Sequence, residues 1–124
     1  MTGDPFFILL VSGDQELAGL AREIDEELYV DEITVSECLD LRDELENSLI
    51  ILDVTQKSES PFMLLRTLRS EGLDVPVVGL VSKGAVEDVS AYFRLGADEV
   101  IRKPVRRSVL ETVLKRLLPG AIAA

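Results

Sequence analysis

The chain has 124 residues, a formal net charge of −10, one cysteine and no histidine. This length fits one domain of ordinary size, and the 47% hydrophobic share is typical of a globular chain rather than a disordered one. The missing histidine excludes Ser-His-Asp catalysis and His-ligated metal sites, and the single cysteine excludes cysteine-based zinc sites. The acidity opposes direct binding to nucleic acid or to an anionic membrane.

The sequence carries no pattern of a membrane-spanning or export segment. No apolar run approaches the ~20 residues that span a bilayer, and the short apolar run at 6–11 has no basic region before it. Cys38 has no partner for an internal disulfide. We therefore expect a cytoplasmic protein of bacterial type with a single domain over residues 1–124, a core at about 6–118 and a short tail at 119–124.

Five short apolar runs predict β-strands. Three of them are almost continuously apolar, which is typical of strands buried on both faces of a parallel sheet. The predicted strands are residues 6–11, 32–35, 49–52, 75–81 and 99–101.

Five segments with helical spacing follow the five strands. Their starts and ends are indicated by capping residues and by glycines. The predicted N-caps of the first three helices are Asp14, Ser36 and Ser60, the last with Pro61 in the first turn; the predicted ends of the last three helices are Gly72, Gly96 and Pro119-Gly120. The third helix is predicted to carry Phe62, Leu65 and Leu68 inward, and the apolar positions that mark the last two helices are Val86, Val89, Tyr92, Phe93, Val109, Leu110, Val113, Leu114 and Leu117.

Strands that alternate with amphipathic helices predict an α/β protein with a parallel five-stranded sheet between two layers of helices. In such sheets the ligand site lies beyond the carboxyl ends of the strands. This rule selects Asp53, a candidate ligand, nucleophile or half of an ion pair, and Lys103, a candidate clamp for an anionic oxygen. Other pocket positions at this edge are Ser12, Gly13, Asp14, Val81, Ser82 and Pro104.

Several motifs coincide with these positions. They are LIILD at 49–53 with a proline eight residues later, VPVV at 75–78, GADE at 96–99 and KP at 103–104. With these motifs the chain resembles the receiver domain of two-component response regulators, from about residue 6 to residue 118. The resemblance implies a flavodoxin-like, CheY-like (βα)5 fold with the sheet order 2-1-3-4-5.

The resemblance also implies a function for the candidate site. Asp53 takes the position of the phospho-acceptor, which receives a phosphoryl group from a phosphohistidine with the assistance of Mg²⁺. Lys103 takes the position that pairs with the phosphoryl oxygens, and the Lys103–Pro104 bond is expected to be cis, which only ~5–6% of X–Pro bonds are.

The metal pocket departs from the family pattern. Ser12 and Gly13 stand where a typical receiver has two acidic residues that hold Mg²⁺. Asp53 and Asp14 are the remaining candidate ligands, and Asp14 is better placed to cap the first helix. Because Mg²⁺ prefers several oxygen ligands in a near-octahedral arrangement, we expect a weak Mg²⁺ site or none.

The two positions whose side chains respond to phosphorylation in the family also differ from the family pattern. Val81 aligns with the hydroxyl residue at the end of strand four, and the neighbouring Ser82 is expected to point to the opposite face of the sheet. Val100 aligns with the switch aromatic of strand five, and a valine cannot swing in and out as an aromatic side chain does.

Three functions therefore stay open. The first is a receiver with a degenerate pocket that signals by protein–protein docking, and the second is a phosphorylatable, Mg²⁺-dependent switch that accepts its phosphoryl group from a sensor histidine kinase. The third is a flavodoxin-like small-ligand-binding domain, for which segment 12–14 is a poor phosphate loop. The sequence shows neither an acid–base pair nor an activated nucleophile, so we do not expect an enzyme.

The resemblance places a docking surface on helix four, strand five and helix five. Seven basic residues lie between positions 94 and 116, whereas thirteen acidic residues lie between positions 14 and 46. We expect a kinase or another signalling protein, or a second copy of the chain, to bind this basic surface. The predicted interface residues are Tyr92, Arg94, Leu95, Val100, Arg102, Arg106 and Arg107.

Overall fold

A computed structural model describes residues 6–11, 15–53, 60–82, 84 and 86–118. The strands are β1 (Phe7–Val11), β2 (Tyr29–Glu32), β3 (Ser48–Asp53), β4 (Val77–Val81) and β5 (Glu99–Arg102), and the helices are α1 (Gln15–Ile24), α2 (Val35–Asp40), α3 (Ser60–Ser70), α4 (Val86–Leu95) and α5 (Arg107–Leu117), with a 3-10 turn at Arg42–Glu44. All strand pairs are parallel, and the sheet order is β2-β1-β3-β4-β5. The predicted fold class and strand order are confirmed.

The sheet separates two buried clusters of side chains. β1, β3 and β4 are buried along almost their whole length, which explains why their sequences are continuously apolar. Successive strand residues point to opposite faces. The α1–α5 core contains Ile51 and Leu110, and the α3–α4 core contains Leu52, Leu65 and Tyr92.

The second strand lies earlier than predicted, at β2 rather than at 32–35. The reason is a capping box, in which the Thr34 hydroxyl accepts a hydrogen bond from the Glu37 amide at 3.0 Å and the Glu37 carboxylate accepts one from the Thr34 amide at 3.0 Å. Thr34 is therefore the N-cap of α2, and Ser36, the predicted cap, is a residue of the helix itself.

The helix ends agree with the predictions at two glycines. Gly72 and Gly96 follow α3 and α4 with φ of 79° and 103°, which glycine adopts without steric cost. α3 begins at Ser60 itself, so this residue is not the N-cap that was predicted. Asp14 and residues 119–120 lie outside the described residues. None of the helices in the described part of the chain is long and apolar enough to cross a membrane.

Three of the apolar positions that mark the last two helices in the sequence are exposed. Val86, Phe93 and Val109 have exposed fractions of 64%, 49% and 42%. The buried side of α4 is centred on Tyr92, and Phe93 comes next in the chain, about 100° around the helix. A count of apolar residues thus overestimates how wide the buried stripe is.

Arg69 holds together the edge of the sheet where β4 and β5 begin. Its guanidinium donates to the Gly96 carbonyl at 3.0 Å, to the Leu73 carbonyl at 2.7 Å and to the Asp98 carboxylate at 3.1 Å. The same carboxylate accepts the Val77 amide at 2.8 Å. This side chain therefore ties the end of α3 to the starts of two strands, at the edge opposite their carboxyl ends.

Candidate functional site

An ion pair joins the carboxyl ends of β3 and β5. Asp53 is the last residue of β3 and is only 4% exposed, and Lys103 directly follows β5. The Lys103 ammonium donates a hydrogen bond to the Asp53 carboxylate. Each residue lies two positions after a strand residue of the α1–α5 core, Ile51 and Ile101, so both are on the same face of the sheet.

The backbone around Lys103 fixes the position of this ion pair. The Lys103 amide donates to the Val81 carbonyl at 2.8 Å, which extends the β4–β5 pairing by one residue. The Lys103–Pro104 peptide bond is cis, as the resemblance implied.

A cavity of about 430 Å³ lies beside Lys103. Three of its residues, Ser82, Lys103 and Pro104, are pocket positions expected from the sequence, whereas Glu16 was not foreseen. Its lining residues are Glu16, Leu17, Leu20, Ser82, Lys103, Pro104 and Val105. The cavity thus combines an ammonium, a carboxylate and a hydroxyl with an apolar wall from α1.

The two positions that carry the phosphorylation signal in the family have aliphatic side chains. Val81 is fully buried in the α3–α4 core, while Ser82 is exposed beside the cavity. Val100 is partly buried and packs against the α3–α4 core. Neither valine side chain can form a hydrogen bond with a group on Asp53.

Tyr92 is completely buried, so it does not belong to the docking surface to which the sequence assigned it. Its hydroxyl donates to the Leu52 carbonyl at 3.0 Å and lies 3.4 Å from the Leu80 carbonyl. A buried tyrosine needs such partners, because an unsatisfied hydroxyl costs free energy in an apolar core. Tyr92 therefore connects α4 to the carboxyl ends of β3 and β4.

Gly79 makes room for the Tyr92 ring. A Cβ atom at position 79 would lie 2.6 Å from three carbons of that ring, well inside van der Waals contact. An isolated glycine within a strand indicates that another group approaches the backbone closely. The glycine in the apolar run at 75–81 was thus a sequence signal for this contact.

The other predicted interface residues lie at or near the surface formed by α4, β5 and α5. The exposed members of the set are Arg94, Arg102, Arg106 and Arg107, and the partly buried members are Leu95 and Val100. A shallow cavity of about 480 Å³ between these elements is lined in part by Phe93, Val109 and two of the arginines. We call this surface, with Phe93, Arg102, Arg106 and Val109, the docking face. Arg94 instead lines a cavity between α3 and α4.

Among the described residues, the donor atoms at the carboxyl ends of the strands do not form a Mg²⁺ site of the usual kind. Ser12 and Gly13 supply no carboxylate, and Asp14, like these two residues, lies outside the described residues. Within the described ranges there is no group of three or more His, Cys, Asp or Glu side chains placed to hold a metal ion. The Asp53 carboxylate already accepts a hydrogen bond from the ammonium of Lys103.

The fold and the position of Asp53 define a CheY-like receiver domain. The family model of the response regulator receiver domain matches residues 8–115, and the chain belongs to this family. Receiver domains are in general signalling domains rather than enzymes. They interact with histidine kinases and typically bind Mg²⁺ at an acidic pocket.

Similar proteins include two response regulators. The transcriptional regulatory protein RprY of Bacteroides fragilis is 29% identical, and the match covers 89% of this chain and 50% of that protein. The response regulator protein PmrA of Pseudomonas aeruginosa is 32% identical, and the match covers 87% of this chain and 48% of that protein. The chain thus spans about half the length of the curated relatives it matches.

Solved structures show the same fold. FixJ-N superimposes with a TM-score of 0.80 at 18% identity, covering 98% of this chain and 100% of that one. The receiver domain of the response regulator TorR superimposes with a TM-score of 0.78 at 23% identity, covering 92% of this chain and 97% of that one. At these identities the likeness concerns the fold alone.

Proposed function

We propose that this receiver domain signals as a protein–protein docking module and that its aspartate is held by Lys103 rather than cycled by Mg²⁺-dependent phosphorylation. The observation that carries the proposal is the ion pair between Lys103 and the buried Asp53. The ammonium compensates a carboxylate that is removed from water, so this edge of the sheet needs no metal ion to balance its charge.

Changes at four further positions support the proposal. Ser12 and Gly13 replace the metal-binding acids, so the charge of an incoming phosphoryl group would be offset mainly by one lysine. Val81 and Val100 supply neither the hydroxyl nor the aromatic ring that these positions carry in the family, and the hydroxyl beside Lys103 belongs to the exposed Ser82 instead.

The docking face has the properties of a contact surface. Phe93 and Val109 are exposed apolar side chains, and Arg102 and Arg106 place positive charge around them on a domain whose net charge is −10. We propose an acidic partner, which is a sensor histidine kinase, another signalling protein or the acidic side of a second copy. The proposal keeps the cytoplasmic location and the absence of enzymatic turnover expected from the sequence.

The second candidate is the phosphorylatable switch, favoured by the position of Asp53 at the end of β3 beside Lys103. Intact-mass spectrometry after incubation with acetyl phosphate, with and without Mg²⁺, distinguishes the two. We expect no adduct under conditions that modify an ordinary receiver domain. A single phosphoryl adduct that requires Mg²⁺ and is absent from the Asp53→Asn variant would establish the switch instead.

A further inference from the structure

Tyr92 contacts both the acceptor strand and the helix that forms part of the docking face. Its hydroxyl binds the Leu52 carbonyl next to Asp53, and its backbone is part of α4. We infer that Tyr92 is a positioning residue that links the position of α4 to the state of Asp53. This inference rests on the proposed function in taking the α4 surface as a place where partners bind, and because such a link is reciprocal, a partner bound there acts on the Asp53–Lys103 ion pair without phosphorylation.

The Tyr92 ring is held from two sides. The backbone of Gly79 lies against it so closely that a Cβ atom would overlap three ring carbons. The Phe62 ring of α3 packs against it with a centroid distance of 5.0 Å and an interplanar angle of 53°. Because closely packed interiors leave such a ring little freedom, the hydroxyl has a defined position relative to α4.

The hydroxyl bonds to the peptide unit of the acceptor residue. The Leu52 carbonyl belongs to the planar peptide group that also contains the Asp53 amide. The Asp53 carboxylate is paired with Lys103, and we expect a change of charge at this carboxylate to alter that pairing and to shift the peptide group of the same residue. The Tyr92 hydroxyl follows that shift because it is hydrogen-bonded to the carbonyl of this peptide group.

The helix carries the change to the surface. Phe93 and Arg94 directly follow Tyr92 in α4, and both are exposed, Phe93 on the docking face and Arg94 beside α3. A hydrogen-bonded helix moves largely as a unit, so a displacement of Tyr92 displaces these two side chains. This route does not use positions 81 and 100, where the chain has valines.

The test uses amide NMR on the full chain without any partner. Asp53→Asn is expected to shift the amide resonances of Phe93 and Arg94, and these shifts are expected to be largely lost when the same substitution is made together with Tyr92→Phe. The shift at Lys103, which contacts Asp53 directly, is expected in both backgrounds. Tyr29→Phe is the matched control, because it removes the hydroxyl of an exposed tyrosine on β2.

Two results would overturn the inference. One is an equal shift of the α4 amides with tyrosine or phenylalanine at position 92, and the other is no α4 shift at all with Tyr92 in place. If Tyr92→Phe fails to fold, the Tyr92 ring resonances of the Asp53→Asn single variant decide, since an unmoved ring contradicts the link. Because no partner is used, a failure of the docking proposal leaves this result unchanged.

Discussion

Lys103 and Asp53 are 50 residues apart in the chain, yet the lysine ammonium donates a hydrogen bond to the buried carboxylate. Lys103→Met would leave that carboxylate without its cation in a site with little access to water. We expect the free energy of unfolding to fall by about 2 kcal/mol, measured by urea denaturation at pH 7. In a double-mutant cycle with Asp53→Asn the coupling energy should exceed about 0.5 kcal/mol, and additive effects would show that the ion pair contributes nothing.

The contact between Gly79 and Tyr92 reverses the usual effect of replacing glycine. Gly→Ala stabilises many proteins by about 0.4–1 kcal/mol, but at position 79 the new methyl group would overlap the Tyr92 ring. We expect Gly79→Ala to lower the free energy of unfolding by about 1–3 kcal/mol and to cost less in a Tyr92→Leu background. Gly19→Ala in α1 is the control, because nothing lies within 4 Å of its Cβ position and the change should be stabilising.

Substitutions at Thr34 and Ser36 test which of these two hydroxyl groups caps the start of α2. Thr34→Ala removes the side chain that accepts the Glu37 amide, and we expect a loss of about 1 kcal/mol in thermal or urea unfolding. Ser36→Ala, at the position that the sequence favoured, should stay within about 0.5 kcal/mol of the unsubstituted chain. A larger loss at Ser36 than at Thr34 would contradict the observed capping box.

Burial raises the pKa of the Cys38 thiol from 9.0 to about 11. The folded protein then holds the thiol proton more tightly than the unfolded chain, so this contribution to stability is full below pH 9 and is lost as the pH rises through about 11. We expect the stability of the chain to fall relative to Cys38→Ala over this range, by at most about 1.4 kcal/mol per pH unit.

The same burial predicts slow chemistry at the thiol. Cys38 is completely buried, and the thiolate is the reactive form. At pH 8 a disulfide reagent should modify the folded chain far more slowly than the chain in urea. Equal rates in both states would show that the thiol is accessible in the folded protein.

The fold was predictable because its signals are local and repeated. Continuous apolar runs at β3 and β4 indicate a parallel sheet, and the rule that sites form at strand ends selects Asp53 and Lys103 without knowledge of the contact between them. The cap at Thr34 was missed because a β-branched residue beside an apolar one resembles a strand. The Glu37 that completes the capping box was the better signal.

Tyr92 shows a different limit of sequence-based prediction. Helical periodicity identifies apolar positions but does not tell which one lies at the centre of the buried stripe, so the buried Tyr92 was assigned to the docking surface and the exposed Phe93 was not. The hydroxyl bond to the Leu52 carbonyl depends on two elements separated by 40 residues. Gly79 was the one local sign of this contact.

The hydrogen bonds of the Arg69 side chain affect which parts of the domain unfold together. Its guanidinium joins the Leu73 carbonyl of the α3–β4 connection to Gly96 and Asp98 of the α4–β5 connection. Two segments that are distant in sequence thus share an anchor and should unfold together as one cooperative unit. In hydrogen exchange the Val77 and Asp98 amides, which bond across this junction, would show the same opening free energy.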